Sequence, residues 1–366
     1  MSVGGSHSCG IRTDGRLYCW GSNESGQLGV VSARGQCLKT PASCEASPRA
    51  VAIASRVTQV STGDRHTCAI AEGGALYCWG ENIVFQAGVE ALTYVFVPTP
   101  VAPTARFNQV SAGGTHSCAV RTNGVVYCWG DGRLGALGRG DTVSSVIPQP
   151  IASDERFEQV SAGAARSCAV AVSGELWCWG AEWEGSQQST DFFHQRLLPH
   201  RVAGAPAMRS VSVSGSMICG IATDGRALCW ESNIFGQLGT GALEGTTVPT
   251  EVALAEPMRS VSAGAIQGCG LTELGQALCW GNDTFGQLGI PRTGERCGVL
   301  ECRRTPAGVF GGLRFAAVST GLGVHSCGVT TSSALVCWGL GNDGQLGDGW
   351  LRERQSLPVG VLAPTP

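Results

Sequence analysis

The sequence predicts an all-β protein: a seven-bladed β-propeller of four-stranded antiparallel blades, spanning residues 1–366 as a single domain. One phrase recurs seven times, reading VSAGGTHSCAVRTNGVVYCWG in its third copy, with two cysteines ten residues apart and a Trp directly after the second. Successive first cysteines lie 59, 50, 50, 51, 50 and 58 residues apart. A period of about 50 residues marks a propeller or a solenoid. A second marker, Pro-x-x-Val or Pro-x-x-Ile, runs in phase with the first, from Pro48/Val51 to Pro358/Val361.

The two markers are offset at the ends. The last Pro-x-x-Val follows the seventh Cys pair, and the first Cys pair has none before it. The 39 residues after Cys327 and the nine ending at Cys9 together make about one repeat. The expectation is therefore a ring closed by the C-terminal strand pairing into the N-terminal blade. An open solenoid has no need of such closure, whereas a radial array leaves only short, protected sheet edges.

Within one repeat, the first strand is expected to start at Pro-x-x-Val, where proline need not donate to a ladder. The second reads like FEQVSAG, the third like HSCAV and the fourth like LYCWG. The last two form a hairpin. Placing Cys9 opposite Cys19 makes Thr13-Asp14-Gly15 a three-residue loop, whose last residue must be left-handed. Gly74, Gly124, Gly174, Gly225 and Gly275 recur there, and Ser333 replaces them in the seventh repeat. Counting back from the turn puts the cysteines at a non-hydrogen-bonded pair, with Cα atoms roughly 4.5 Å apart and within disulfide reach. A two-residue Asp14-Gly15 turn would misalign them.

Seven pairings follow: Cys9–Cys19, Cys68–Cys78, Cys118–Cys128, Cys168–Cys178, Cys219–Cys229, Cys269–Cys279 and Cys327–Cys337. The remaining four of the 18 cysteines fall in the two longest connections, 30–47 and 290–305, and are paired as Cys37–Cys44 and Cys297–Cys302. Each short ring contributes about 2–3 kcal/mol on the chain-entropy argument. An even cysteine count with regular spacing predicts an oxidising, extracytoplasmic location. Buried free thiols are the competing reading. Zinc would need converging ligands at CxxC-like spacing, and no CxxC occurs. No signal peptide or apolar spanning run is seen, but Met1 stands where the third repeat has Val110, so an upstream segment is expected to be missing. A net charge of −3, with Lys39 the only lysine, argues against a nucleic-acid face.

Once the phrase reaches CWGSNESGQLG (residues 19–29), it resembles the regulator of chromosome condensation repeat family. The resemblance runs along the whole chain and implies a seven-bladed β-propeller. The cysteine-rich form resembles exported bacterial members more than nuclear eukaryotic ones. The family shares no single activity. Some members are guanine-nucleotide exchange factors, one bacterial exported member inhibits β-lactamases by covering them with a propeller face, and others are adaptors. The wedge insertion and basic tail of the exchange factor have no counterpart here.

Departures from the repeat mark candidate sites, because function on a propeller sits on loops grafted to the blades. The His of the His-Ser/Thr pair is present as His7, His66, His116 and His325, and is replaced by Arg166, Met217 and Gln267. These histidines suit a metal or pH-sensing belt, or, on the stronger reading, each caps backbone groups inside its own blade. The seven CWG-type tryptophans suit sugar binding if exposed, and blade packing if buried. Repeat four lacks GQLG and inserts Trp183 and DFFHQRLLPH (191–200). That segment makes Trp183, Phe192 and Phe193 a secondary contact patch or a local plug.

The main binding face is expected over blades six, seven and one, on loops 30–47, 290–305 and 348–357. Its candidate contacts are Leu38, Lys39, Val299, Leu300, Arg303, Arg304, Trp350, Arg352 and Arg354. Trp and Arg are the usual anchors of interfaces, and disulfides cut the entropy lost on docking. Staples that merely protect long loops from proteolysis are the alternative. CLKTPASC (37–44) also faintly resembles the cyclic loop of Bowman–Birk-type trypsin inhibitors, with Lys39 two residues after the first Cys, though it is one residue shorter and has Pro41 where that loop has another residue.

No catalytic constellation, phosphate loop or metal spacing stands out. The expectation is a monomeric, exported, non-enzymatic propeller that binds a protein, with no cofactor, nucleic acid or membrane insertion. A carbohydrate-binding or hydrolytic propeller is the alternative, and a guanine-nucleotide exchange factor ranks below both.

Overall fold

Seven antiparallel sheets follow one another along the chain in the computed structural model, which describes residues 1–31, 35–36, 43–90, 93–183, 193–254, 256–292 and 294–364. Blade three shows the plan: Phe107–Ala112 innermost, then His116–Arg121, Val126–Gly130 and Ser145–Pro150 outermost. Blade one runs Ser2–Val3, His7–Ile11, Leu17–Ser22 and Ser43–Ala50, and blade seven runs Phe315–Thr320, His325–Thr330, Leu335–Gly341 and Arg352–Gly360. Blades one and six each add a two-residue strand, Gly35–Gln36 and Arg296–Cys297, beside the outermost one.

Two expectations are corrected. The proline marker does not start a repeat's first strand. It lies in the fourth strand and pairs with the Cys-Trp strand before it, Cys128 opposite Gln149 and Tyr127 opposite Pro150. An outermost strand has one row of N–H groups with no ladder partner, so proline costs little there. The ring is also not closed by strand exchange. The C-terminal strand pairs inside blade seven, Val336 opposite Gly360 and Cys337 opposite Val359. Every blade takes all its strands from one continuous stretch of chain, so no strand is left over to cross into blade one.

The hairpin follows the sequence reading. Cys9 faces Cys19 in register with Cα atoms 4.1 Å apart. The Arg12 N–H donates to the Arg16 carbonyl at 2.9 Å, enclosing a three-residue loop that ends on Gly15 at φ +83°. The seven in-blade pairs and Cys297–Cys302 are all bonded. Cys44 is disulfide-bonded too, but Cys37, its expected partner, lies outside the described residues.

Innermost strands present an unpaired edge to the central channel, and buried N–H groups need acceptors. Side chains of the preceding blade provide them. Gln109 Oε1 accepts the Val160 N–H at 2.8 Å while its Nε2 donates to the Val160 carbonyl at 2.8 Å. Ser111 Oγ accepts the Ala162 N–H at 2.9 Å. Gln59 and Gln159 do the same for Val110 and Val211. Blades five and six carry Ser210 and Ser260 in the Gln position, and the neighbouring Arg209 and Arg259 reach the Met258 and Ala316 carbonyls instead.

The blades are joined mid-sheet by a repeated relay. At the first junction His7 Nε2 lies 2.8 Å from Thr67 Oγ1, which donates to the Gln27 carbonyl at 2.8 Å. The same carbonyl accepts the Trp79 indole N–H at 2.9 Å. The second junction repeats this with His66, Ser117, Gln86 and Trp129. The seventh closes the ring with His325, Ser8, Gln345 and Trp20. The expectation that each His caps its own blade is therefore corrected, because its ring reaches the next one. The tryptophans are buried at these junctions, which supports packing and removes an exposed aromatic ring for sugars.

The hydroxyl proton goes to the Gln carbonyl, so the hydroxyl must accept from His Nε2–H, and Nδ1 is left bare and buried without a hydrogen bond. A second proton would put a charge in the junction. Burial accordingly holds His7, His66 and His325 down to about 3 and His116 to about 4, from an ordinary value of 6.5. Asp283 opposes them, because burial raises its carboxyl to about 6.

Replacing Ser333, the lone non-glycine at its turn position with φ +65°, by glycine is expected to raise stability by about 1 kcal/mol in a urea titration. The histidines also set a pH dependence. Their folded values lie below the unfolded one, so their contribution is complete above about pH 6.5 and is lost as pH falls toward 3. Each adds up to about 1.4 kcal/mol per pH unit within that window. Asp283 acts in reverse, losing its contribution as pH rises through 6. Urea midpoints from pH 7 to 4 should fall steeply, and less steeply for His66→Gln.

Candidate functional site

The connection between third and outermost strands carries the Asn-x-x-Gly-Gln-Leu-Gly motif, and its chemistry fixes its shape. Asn23 Oδ1 accepts the Leu28 N–H at 3.0 Å, and Gln27 Oε1 accepts the Ser25 N–H at 2.9 Å. The closing Gly29, at φ +72°, lies so near the next blade that a Cβ would stand 2.8 Å from the Trp79 indole nitrogen. Each such loop leans on the following blade's outermost strand. The loops of blades six, seven and one are thereby linked in series. Arg354 of blade seven donates to the Thr284 carbonyl of blade six at 2.6 Å, and the Gly349 N–H of blade seven donates to the Ala46 carbonyl of blade one at 2.8 Å.

Blade six's staple is a small hairpin, with Cys297 opposite Leu300, Gly298 at φ +62° and the Cys297–Cys302 bond beneath it. Val299 at its tip is 82% exposed and Leu300 is half-buried. In blade seven, Trp350 is 69% exposed, and its backbone N–H donates to Asp348 Oδ1 at 3.2 Å. The four arginines of this face are braced within it. Arg303 and Arg304 share Glu295, at 3.3 and 3.0 Å. Arg352 holds Asp348 at 2.6 Å, and Arg354 holds Glu301 at 2.8 Å. The face thus presents two apolar projections on a charge-braced base. Leu38 and Lys39, with the inhibitor-like loop, lie outside the described residues.

The secondary patch takes a different form from an exposed contact. Trp183 is buried, pairs in register with Phe193 at the start of blade four's outermost strand, and packs its ring against Gly245 of blade five. Phe192 and the Phe193 side chain lie outside the described residues. Trp183 forms part of a cavity of about 310 Å³ between blades four and five, with Arg166, Arg196, His200, Trp230 and Glu231 on its walls.

Here the relay is rebuilt. Arg166 stands in the His position, Ile218 in the Ser position, and Glu231 replaces the Gly of CWG. Arg166 and Glu231 form an ion pair, and both are about 3% exposed. Burial pushes the Glu231 carboxyl up, with the Arg166 charge opposing it. Glu231 keeps φ +91°, where the six other blades use glycine between +97° and +106°. Left-handed backbone costs a side-chain-bearing residue about 1–2 kcal/mol. Glu182 lies beside this pair, bound by Arg196 and 3.4 Å from His200 Nε2. Arg166 in the His position and CWE at 229–231 in place of CWG are the two sequence signals for this cluster, and neither by itself shows that the two residues meet.

Three stretches, residues 14–70, 73–120 and 123–170, match the regulator of chromosome condensation (RCC1) repeat. The ultraviolet-B receptor UVR8 of Arabidopsis thaliana is 36% identical over 91 residues, 24% of this chain and 19% of that protein. Human protein RCC2 is 34% identical over 95 residues, 26% of this chain and 17% of that one. The matched segments thus span about a fifth of these relatives' length. Among solved structures, human WBSCR16 superposes with a TM-score of 0.80 at 22% identity, covering 95% of each chain. Yeast RCC1 (Prp20), crystallised bound to Kap60, gives 0.80 at 21% identity, over 94% of this chain and 83% of that one. Prp20p of Saccharomyces cerevisiae, described with its binding to Gsp1p and histones, gives 0.82 at 20%, over 96% and 87%.

Removing one member of the buried pair strands the other. Arg166→Ala is expected to cost about 3–5 kcal/mol in guanidinium titration. Glu231→Gly should cost less, because glycine releases the left-handed backbone while Arg166 loses its partner. A double-mutant cycle reads the coupling.

Proposed function

We propose that this propeller of regulator of chromosome condensation repeats is a non-enzymatic protein-binding module that docks its partner on the loop face of blades six, seven and one. The observation that carries this reading is the pair of exposed apolar side chains, Val299 and Trp350, on connections braced by a disulfide and by paired arginines. Large exposed apolar groups on a rigid base suit an interface core, since little side-chain freedom is lost on docking. The paired arginines and their carboxylates would form its polar rim. That yeast RCC1 (Prp20), whose structure superposes on this chain, was solved bound to Kap60 supports a protein partner. The disulfides support an oxidising location outside the cytoplasm.

The test is capture of partners from envelope and secreted fractions with the oxidised protein and with Trp350→Ala/Val299→Glu. A partner retained by the first and weakened by tenfold or more in the second is expected, with melting temperatures alike. A partner held equally by both would place the interface elsewhere.

A further inference from the structure

The end of the ring opposite the loop face carries the turns between second and third strands and the segments that lead into the inner strands. Across blades one to three these pieces join into one arc. In the turn at residues 12–16 of blade one, a Cβ on Gly15 would stand 2.7 Å from the Arg56 Cβ. The Glu72 N–H of the next turn donates to the Arg56 carbonyl at 2.8 Å. Gly74 of that turn lies beside Arg106 in the same way, at 3.2 Å, and the Thr122 N–H of the third turn donates to the Arg106 carbonyl at 3.2 Å. Five arginines, Arg12, Arg16, Arg56, Arg106 and Arg121, stand on this arc against two carboxylates, Asp14 and Glu72. The whole chain has 28 acidic against 25 basic residues, so the positive excess is local to the arc.

The arginines are poorly neutralised. Asp14 lies 4.0 and 3.9 Å from Arg12 and Arg16, and Glu72 lies 3.5 Å from Arg56. Arg106 and Arg121 have no carboxylate partner among the described residues. Arg106 donates through Nη1 to the Pro103 and Ala105 carbonyls, both at 2.8 Å, and Arg121 donates through Nη1 to the Tyr127 hydroxyl at 3.2 Å. A guanidinium is a rigid fork of donors matched to a carboxylate, and these bonds use only one edge of each. Among the described residues, none of the large exposed apolar side chains lies on the arc, so it lacks the apolar core of a protein interface. It offers no open aromatic ring for stacking a nucleic-acid base, because the Arg121 guanidinium covers Tyr127 at 5.2 Å. Between blades two and three lies instead an open depression of about 310 Å³, walled by Thr58, Asn108, Thr122 and the bare backbone of Gly73 and Gly74. Hydroxyls, a carboxamide and open peptide groups match the hydroxyls of a sugar, which both donate and accept.

We propose that the arginine arc on blades one to three binds an acidic polysaccharide, a polyuronate whose carboxylates meet the open arginine forks and whose hydroxyls settle in the depression between blades two and three. The site is separate from the loop face, and either can exist without the other.

The experiment is isothermal titration of the full chain at low ionic strength with oligomers of polygalacturonate, against the same oligomers as methyl esters, a single-stranded oligodeoxythymidylate and polyglutamate. The free acid is expected to bind at least about tenfold more tightly than each of the three, and to bind more weakly as salt is added, because exposed charges are screened. Arg56→Gln/Arg106→Gln should weaken binding about tenfold with the melting temperature unchanged. Trp350→Ala/Val299→Glu, on the loop face, should bind the acid as the parent chain does. No binding of the acid, equal binding of its ester, or an Arg56→Gln/Arg106→Gln variant that binds undiminished would overturn the proposal. Equal affinity for polyglutamate would assign the arc to an acidic protein instead, and equal affinity for the oligonucleotide would assign it to nucleic acid.

Discussion

Six of the seven junctions depend, among the described residues, on one backbone carbonyl each. At the Gln of the GQLG loop it receives an indole N–H and, where the next blade offers one, a hydroxyl O–H. A buried polar group left unmatched costs about 1–3 kcal/mol, whereas a matched one returns about 1 kcal/mol. The loop must therefore stay rigid enough to hold its carbonyl in place. The Asn and Gln side chains that bond the loop's own N–H groups, and the glycine that lets it approach the indole, serve that end. The repeat is conserved in form along this chain because each copy is both donor and acceptor for its neighbours.

Much of this was legible in the sequence. The hairpin register and the seven short disulfides follow from cysteine spacing and from a glycine at the turn, because strand pairing is a matter of counting. Strand order across a blade was not legible. Pro-x-x-Val marks a strand, but nothing local says which neighbour it pairs with, so assigning it forward produced an exchange closure that the sheets do not use. The reach of His7 to Thr67 was hidden for the same reason, since a contact 60 residues away leaves no local trace.

The candidate sites divide in a similar way. Val299 and Trp350 were visible as apolar residues in long loops, and they are exposed. The arginines beside them were visible as charges, but their pairing with Glu295, Asp348 and Glu301 depends on which loops lean on which blades. Trp183 was open between a contact and a local plug, and it is buried, because its strand runs two residues past Ala181 and meets the outermost strand again at Phe193. The Arg166–Glu231 pair joins two departures from consensus 65 positions apart, and only the stacking of blades brings them together.

A blade made wholly from one continuous stretch of chain assembles largely through short-range contacts. Contacts within a blade close loops of tens of residues, and each in-blade cysteine pair is only ten residues apart. Such units gain order early, since short loops cost little entropy to close. The bond between Ser8 and His325 joins residues 317 positions apart. It can form only after six other junctions have brought the first and last blades together. Assembly is thus a sequential stacking whose final step adds no new sheet, and the joint between the last and first blades repeats the histidine–hydroxyl–carbonyl chemistry of the first two joints.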